Sequence, residues 1–178
     1  MPAALALRVA PVTPQLADAV RALRTAPGQQ IHVGDVSFNL ADAEADADSE
    51  AMAILADGRV IGFYRLDYRP TVVARVPLRC AAVVLRAFLI DRAWQGRGLA
   101  VDALLACCRD VSCRHPHRRL MALNVDCRNI VAVRTYRQAG FVGCDELVSG
   151  GSAGPQYLML RQLGIEAQAS GLDVAPET

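Results

Sequence analysis

Two short stretches of this chain combine residue types at spacings that could do chemistry. The first is Ile90-Asp91-Arg92-Ala93-Trp94-Gln95-Gly96-Arg97-Gly98-Leu99-Ala100, between an apolar run and a helical pattern. A strand, a glycine turn and a helix amino terminus in that order make an anion site, because glycine lets the backbone approach a ligand closely. Free N–H groups and the positive end of the helix dipole then point at it. The glycines alone are also compatible with a tight turn that holds nothing. A P-loop would need Gly-Lys-Ser/Thr, which is absent, and the dinucleotide fingerprint would need a third small residue where Val101 stands. The second stretch runs from Asn129 to Tyr136. On a helix these two share a face and lie about 10 Å apart along its axis, so one helix can touch a long ligand at two points. Cys113-Arg114-His115-Pro116-His117 has zinc-type side chains, but it falls at a helix end without a matching fourth ligand, so no metal is expected.

These stretches need elements to position them, and the sequence supplies a series. Leu5 to Val9 alternates as a short strand. Thr13-Pro14 offers an N-cap and first-turn proline to a helix with Leu16, Val20 and Leu23 on one face, ended by Gly28. Gln29 to Leu40 shows no clear period. Ala41 to Glu50 alternates alanine with Asp42, Glu44, Asp46 and Asp48, which reads as helical or loosely ordered. Its acidic stripe is either a solvated face or an attractor for a cationic substrate. Met52 to Leu55 and Val60 to Tyr68 form a hairpin about Asp57-Gly58. Ala82 to Ile90, apolar but for Arg86, has the pattern of a central strand covered on both faces. Gly98 to Cys113 is an amphipathic helix stopped near Pro116. Leu120 to Val125 is a strand, and Asn129 to Ala139 a helix ended by Gly140. Phe141 to Val148 and Gln156 to Leu160 make a closing pair, joined by the flexible stretch Ser149 to Pro155.

Composition narrows the classes. With 178 residues, one domain is expected, and 19 Lys plus Arg against 18 Asp plus Glu leave no broad positive field for nucleic acid. No apolar run approaches the roughly 20 residues of a membrane span. The start, Met1-Pro2-Ala3-Ala4-Leu5-Ala6-Leu7-Arg8, lacks a signal-peptide pattern, and six cysteines without C-x-x-C spacing read as reduced thiols, so a cytoplasmic location is expected.

Gln95-x-x-Gly98-x-Ala100 after a strand resembles the acetyl-CoA pyrophosphate loop of the GNAT N-acetyltransferase superfamily. Asn129-Ile130-Val131-Ala132-Val133-Arg134-Thr135-Tyr136 followed by Gly140-Phe141 is similar to that family's Asn-x-x-Ala-x-x-Leu-Tyr and Gly-Phe signature, in the right order. Arg86-Ala87-Phe88-Leu89-Ile90-Asp91 also resembles a small-molecule amine branch that includes spermine and spermidine acetyltransferases. The resemblance implies a single α+β domain over residues 1–163, with 164–178 a flexible tail. Its mixed, mostly antiparallel sheet would be splayed between the strands ending near Ile90 and Val125, with helices on its flanks and acetyl-CoA in the gap. It further implies that Gln95, Gly96, Arg97, Gly98, Leu99 and Ala100 hold the pyrophosphate and that Asn129 bonds the pantetheine arm. Phe88, Leu89 and Ile90 would run beside the arm, and one of their N–H groups would polarise the acetyl carbonyl. Tyr136 would sit near the sulfur as the catalytic acid.

The chemistry needs such an acid. A phenol with an ordinary pKa of about 10, against about 8.5 for a thiol, is protonated at neutral pH and can donate to the departing sulfur. The acceptor must lose a proton, and for an amine of pKa near 10.4 that costs about 4.6 kcal/mol at pH 7. Many relatives place a Glu on the central strand, where this chain offers only Arg86. Asp91, Asp126, Asp67 and His32 are substitutes among which the sequence does not choose. Ala100 replaces the commoner glycine of the loop and Thr135 the leucine of the helix motif. The expected activity is acetyl transfer from acetyl-CoA to a primary amine of a small molecule, in a ternary complex and without metal. The expected assembly is a homodimer, with no nucleic acid or membrane partner. Protein or peptide acetylation, or a non-catalytic CoA sensor on the same fold, are the alternatives.

Overall fold

The structure is a computed structural model and describes residues 5–69, 81–151 and 154–164. Cys80 and the tail from residue 165 lie outside the described residues. The elements run β1 (Leu7–Pro11), α1 (Pro14–Arg21), α2 (Gln30–Val33, a single turn), α3 (Val36–Ala45), β2 (Ser49–Ala56), β3 (Arg59–Asp67) and β4 (Ala82–Ile90). They continue with α4 (Leu99–Arg114), β5 (Leu120–Asp126), α5 (Ile130–Gln138), β6 (Val142–Gly151) and β7 (Gly154–Gln162).

The strands form one seven-stranded sheet in the order β1-β2-β3-β4-β5-β7-β6. Every neighbouring pair is antiparallel except β4 and β5, which run parallel. That exception makes the site. β4 and β5 are in register only at Ala82↔Leu120, Val83↔Met121 and Val84↔Ala122, although β4 continues to Ile90 and β5 to Asp126. Beyond Val84 the two strands part. Each is held from its other side, β4 by β3 and β5 by β7, the latter from Leu120↔Gln162 to Asp126↔Gln156. The expectation of a splayed α+β sheet is therefore met.

A bulge accompanies the parting. Phe63 faces Leu89 and Arg65 faces Arg86, so Tyr64 alone lies opposite both Ala87 and Phe88. Ala87 takes a φ of 51°, a left-handed conformation that an L-residue adopts at a cost. A bulge bends its strand and leaves the extra residue out of the ladder.

Period-two alternation sends side chains to two cores. Met52, Ile54 and Ala56 of β2 join a cluster with Leu104, Cys107 and Val111 of α4, and Val133 of α5 packs into the same cluster. Ala53 and Leu55 point the other way, to Ala17 and Val20 of α1 and Val36 and Leu40 of α3. The hairpin turns on Asp57 and Gly58, at φ of 47° and 80°, which matches the primed turn expected of that dipeptide.

Four segments differ from the sequence reading. α1 stops at Arg21, well before Gly28, because the following residues are tied to the loop after β4. The Arg24 N–H donates to Asp91 Oδ2 at 2.8 Å, and the Arg92 N–H donates to the Arg24 carbonyl at 2.8 Å. The aperiodic Gln29 to Leu40 contains α2 and the start of α3, whose N-cap Asp35 accepts from the Phe38 N–H at 2.7 Å. Ala41 to Glu50 divides: residues to Ala45 finish α3, and Ser49 and Glu50 open β2. Likewise Ser149 to Gly151 belong to β6, and Gly154 with Pro155 to β7. Among the described residues no helix is long and apolar enough to cross a membrane. Among the described residues Cys107, Cys113, Cys127 and Cys144 are free thiols, and Cys108 is buried beside Cys107.

Candidate active site

Where β4 and β5 part, a cleft of about 620 Å³ opens, within the range of small-ligand sites. Its wall is built from the far half of β4, the loop after it, the first turn of α4, the end of β5, α5 and α2. Of the residues singled out in the sequence, Phe88, Leu89, Ile90, Gln95, Gly96, Gly98, Leu99, Ala100, Asn129 and Tyr136 all line it. Arg97 does not line it. Its guanidinium lies over the Trp94 ring, 4.8 Å from the centroid, and donates to the Ala93 carbonyl at 3.1 Å.

The loop turns tightly on its two glycines. Gly96 and Gly98 take φ of 74° and 73°, and a Cβ added at either would meet nothing within 4 Å, so the requirement for glycine is torsional rather than steric. Gly98 is the N-cap of α4 and brings no side chain to it, which leaves the first-turn N–H groups to a ligand. Gln95 pins the loop: its Nε2 donates to the Ile90 carbonyl at 2.8 Å and to Gln29 Oε1 at 2.8 Å. Gln95 thus ties the end of β4 to the α1–α2 connection. No local pattern marks its partner Gln29.

At the other end, α5 presents two groups. Asn129 caps the helix, its Oδ1 accepting from the Ala132 N–H at 3.2 Å, which leaves its amide N–H2 for the cleft. Tyr136 is half-buried, its ring edge-on to Phe88 at 6.4 Å and Phe141 at 5.8 Å between centroids. Burial pushes its pKa well above the ordinary phenol range, so it keeps its proton at neutral pH.

The candidate bases separate clearly. Asp91 accepts from the N–H groups of Arg24 and Ala93 and serves as a turn residue. Asp67 is buried. Burial works against its charge, but Ser49, Arg86 and Arg65 outweigh that and hold its pKa down. His32 and Asp126 both line the cleft, with His32 Nδ1 3.7 Å from Asp126 Oδ2. Hydrogen bonds from the Arg128 side chain and backbone push the Asp126 pKa down to about 2, so it is ionised at neutral pH. The acidic run is largely occupied by arginines: Asp42 pairs with Arg65, Asp46 and Asp48 with Arg69, and Glu50 with Arg114 at 2.9 Å. His115 packs on Tyr68 and beside His117, and among the described residues no group of His, Cys, Asp or Glu could hold a metal ion.

An open sheet whose two parallel strands part above a glycine loop and a helix terminus defines a splayed α+β domain of the acetyltransferase type. The sequence profile of the Acetyltransferase (GNAT) family matches residues 17–141, and the chain belongs to that family. No curated protein matches it in sequence. Among solved structures, an uncharacterized protein from Bacillus halodurans superposes with a TM-score of 0.73 at 17% identity, covering 88% of this chain and 83% of that one. Spermidine N-acetyltransferase from Vibrio cholerae, in complex with CoA and spermine, gives 0.66 at 15%, covering 88% and 95%. The aminoglycoside acetyltransferase AAC(6')-Ib, in complex with acetyl-CoA and an aminoglycoside, gives 0.69 at 14%, covering 88% and 93%. At these identities the likeness is one of fold.

Proposed function

We propose that the chain transfers the acetyl group of acetyl-CoA to a primary amine of a small molecule, by direct attack in a ternary complex. The observation that carries this reading is the placement of both sequence motifs on one cleft. The Gln95 to Ala100 loop and the α4 terminus stand at one end, and Asn129 and Tyr136 stand along α5. Structural relatives crystallised with CoA support the choice of co-substrate.

In this reading the loop N–H groups hold the pyrophosphate, the Asn129 amide bonds the pantetheine arm, and a β4 N–H beside the bulge polarises the acetyl carbonyl. The amine nitrogen bonds to the carbonyl carbon as the carbon–sulfur bond breaks. Tyr136 gives its proton to the sulfur, and His32, steadied by the ionised Asp126, takes the proton from nitrogen. His32→Gln is expected to lower kcat about 100-fold with acetyl-CoA affinity kept; undiminished turnover would remove His32 as the base.

Calorimetric titration tests the first step. Acetyl-CoA should bind the intact chain and fail to bind one in which Gln95 to Ala100 are exchanged for an unrelated turn. Equal binding by both, or by neither, would end the assignment. A free-thiol assay over polyamines, amino acids, aminoglycosides and peptide amino termini then finds the acceptor. The reading also has the enzyme acting in the cytoplasm, in keeping with the buried free thiol Cys107, and as a homodimer. The outer strand β6, with Val142 and Leu147 exposed, supports pairing of two copies. A monomer mass by sedimentation at micromolar concentration would remove the dimer.

A further inference from the structure

One charge in the cleft has no part in the transfer just described. Arg86 sits on β4 just past the last residue in register with β5; its side chain is 42% exposed and lines the cleft. Its Nη1 donates to Asp67 Oδ2 at 2.7 Å, and this is its one hydrogen bond to the described residues. A guanidinium has five donors in a planar fork, so Nε and Nη2 remain available to a ligand.

The carboxylates near Arg86 do not cancel it toward the cleft. Asp67 is 4% exposed, lies outside the cleft wall and is shared with Arg65, whose Nε donates to it at 2.9 Å. Asp42 is paired with Arg65 and is likewise outside the wall. Asp126 does line the cleft, but the Arg128 side chain bonds both of its oxygens, at 3.1 and 2.8 Å. Arg86 is also far from the phosphate loop. Four residue steps, through the bulge at Ala87, separate it from Ile90, at most about 13 Å at the usual rise per residue. A single anion cannot serve both places.

We propose that Arg86 forms an anion subsite for the acceptor, and that the acceptor is an amine carrying a carboxylate, such as an α- or ω-amino acid. A guanidinium with free parallel donors binds a carboxylate bidentately, whereas it repels a polyamine or another polycation. The proposal deepens the acetyl-transfer reading and rests on its placement of the acceptor in this cleft.

The test is a matched panel: glycine, γ-aminobutyrate and 6-aminohexanoate against methylamine, butylamine and hexylamine, with spermidine as the polycation. Binding is read by calorimetry with and without CoA, and turnover by thiol release. At least one amino acid should bind ten-fold or more tighter than its amine partner and spermidine. Arg86→Gln should abolish that ratio, and Arg86→Lys should keep part of it. Thermal melting of both variants controls for folding. The subsite is overturned if no amino acid exceeds its partner ten-fold, if spermidine is the preferred ligand, or if the ratio survives in a folded Arg86→Gln. Failure to bind CoA while the Arg86-dependent preference persists would sink the transferase reading and leave the subsite standing.

Discussion

Tyr136→Phe isolates one proton. The hydroxyl has no hydrogen-bond partner among the described residues, while the ring contributes through its edge contacts with Phe88 and Phe141 at 6.4 and 5.8 Å. Phenylalanine keeps that ring and creates no cavity, so folding stability should change by less than about 0.5 kcal/mol. The effect on catalysis comes from the leaving group. Expelling a thiolate of pKa about 8.5 instead of a thiol costs about 1.4 kcal/mol at pH 7.5, a factor of about 10 at equilibrium. Positioned proton donation in the transition state usually contributes about 10²–10⁴-fold, so a loss of about 100-fold in kcat at pH 7.5 is the expected outcome. The loss should shrink as pH rises past about 8.5, where a departing thiolate no longer needs a proton. Because burial raises the folded-state pKa of Tyr136, the wild type keeps its donor through pH 10 and should show no alkaline fall from this group below that. The assay is thiol release from pH 6.5 to 9.5, with calorimetry for acetyl-CoA and a melting curve as controls. A variant with unchanged kcat, or one whose deficit is the same at every pH, would refute the acid role.

Two further predictions concern the scaffold. Gly98→Ala forces a Cβ onto a φ of 73° with nothing within 4 Å to clash, so the cost is torsional, about 1–2 kcal/mol in urea unfolding, with weakened acetyl-CoA binding. Unchanged stability and affinity would show that the turn can relax. Arg65→Leu leaves buried Asp67 with Arg86 and Ser49 alone and should cost about 3–5 kcal/mol, while Arg65→Leu with Asp67→Leu should recover most of it. A single-variant loss below about 1 kcal/mol would argue that water already reaches this pair.

Where local pattern and tertiary demand agree, the elements were legible from sequence. Ala82 to Ile90 reads as a central strand because both of its faces are covered, and Asp57-Gly58 as a hairpin because both positions need positive φ. Asn129 was readable as a helix cap, and the cap uses only its oxygen. The failures lie where distant contacts decide. α1 ends early because Arg24 is held by Asp91, sixty-seven positions away, and no local signal marks that tie. The start of α3 was hidden because its buried stripe of Val36, Asn39, Leu40 and Ala43 includes a polar residue, which bonds back to the Val33 and Asp35 carbonyls. The acidic run looked free because the arginines that occupy it, at positions 65, 69 and 114, come from other elements. Of the four candidate bases, only the fold could show that two share the cleft while the other two serve structure.

The short contact between β4 and β5 gives the domain an unusual mechanical layout. β1 to β4 form one half-sheet and β5, β7 and β6 the other, and within the sheet they are in register at only three positions, all at one end. The layout is that of a clothes-peg. A ligand that bonds both arms supplies the missing rungs, and part of its binding free energy goes to fixing the spacing of the jaws. Occupancy of the cleft should therefore slow hydrogen exchange in both half-sheets at once, including in strands that no ligand touches.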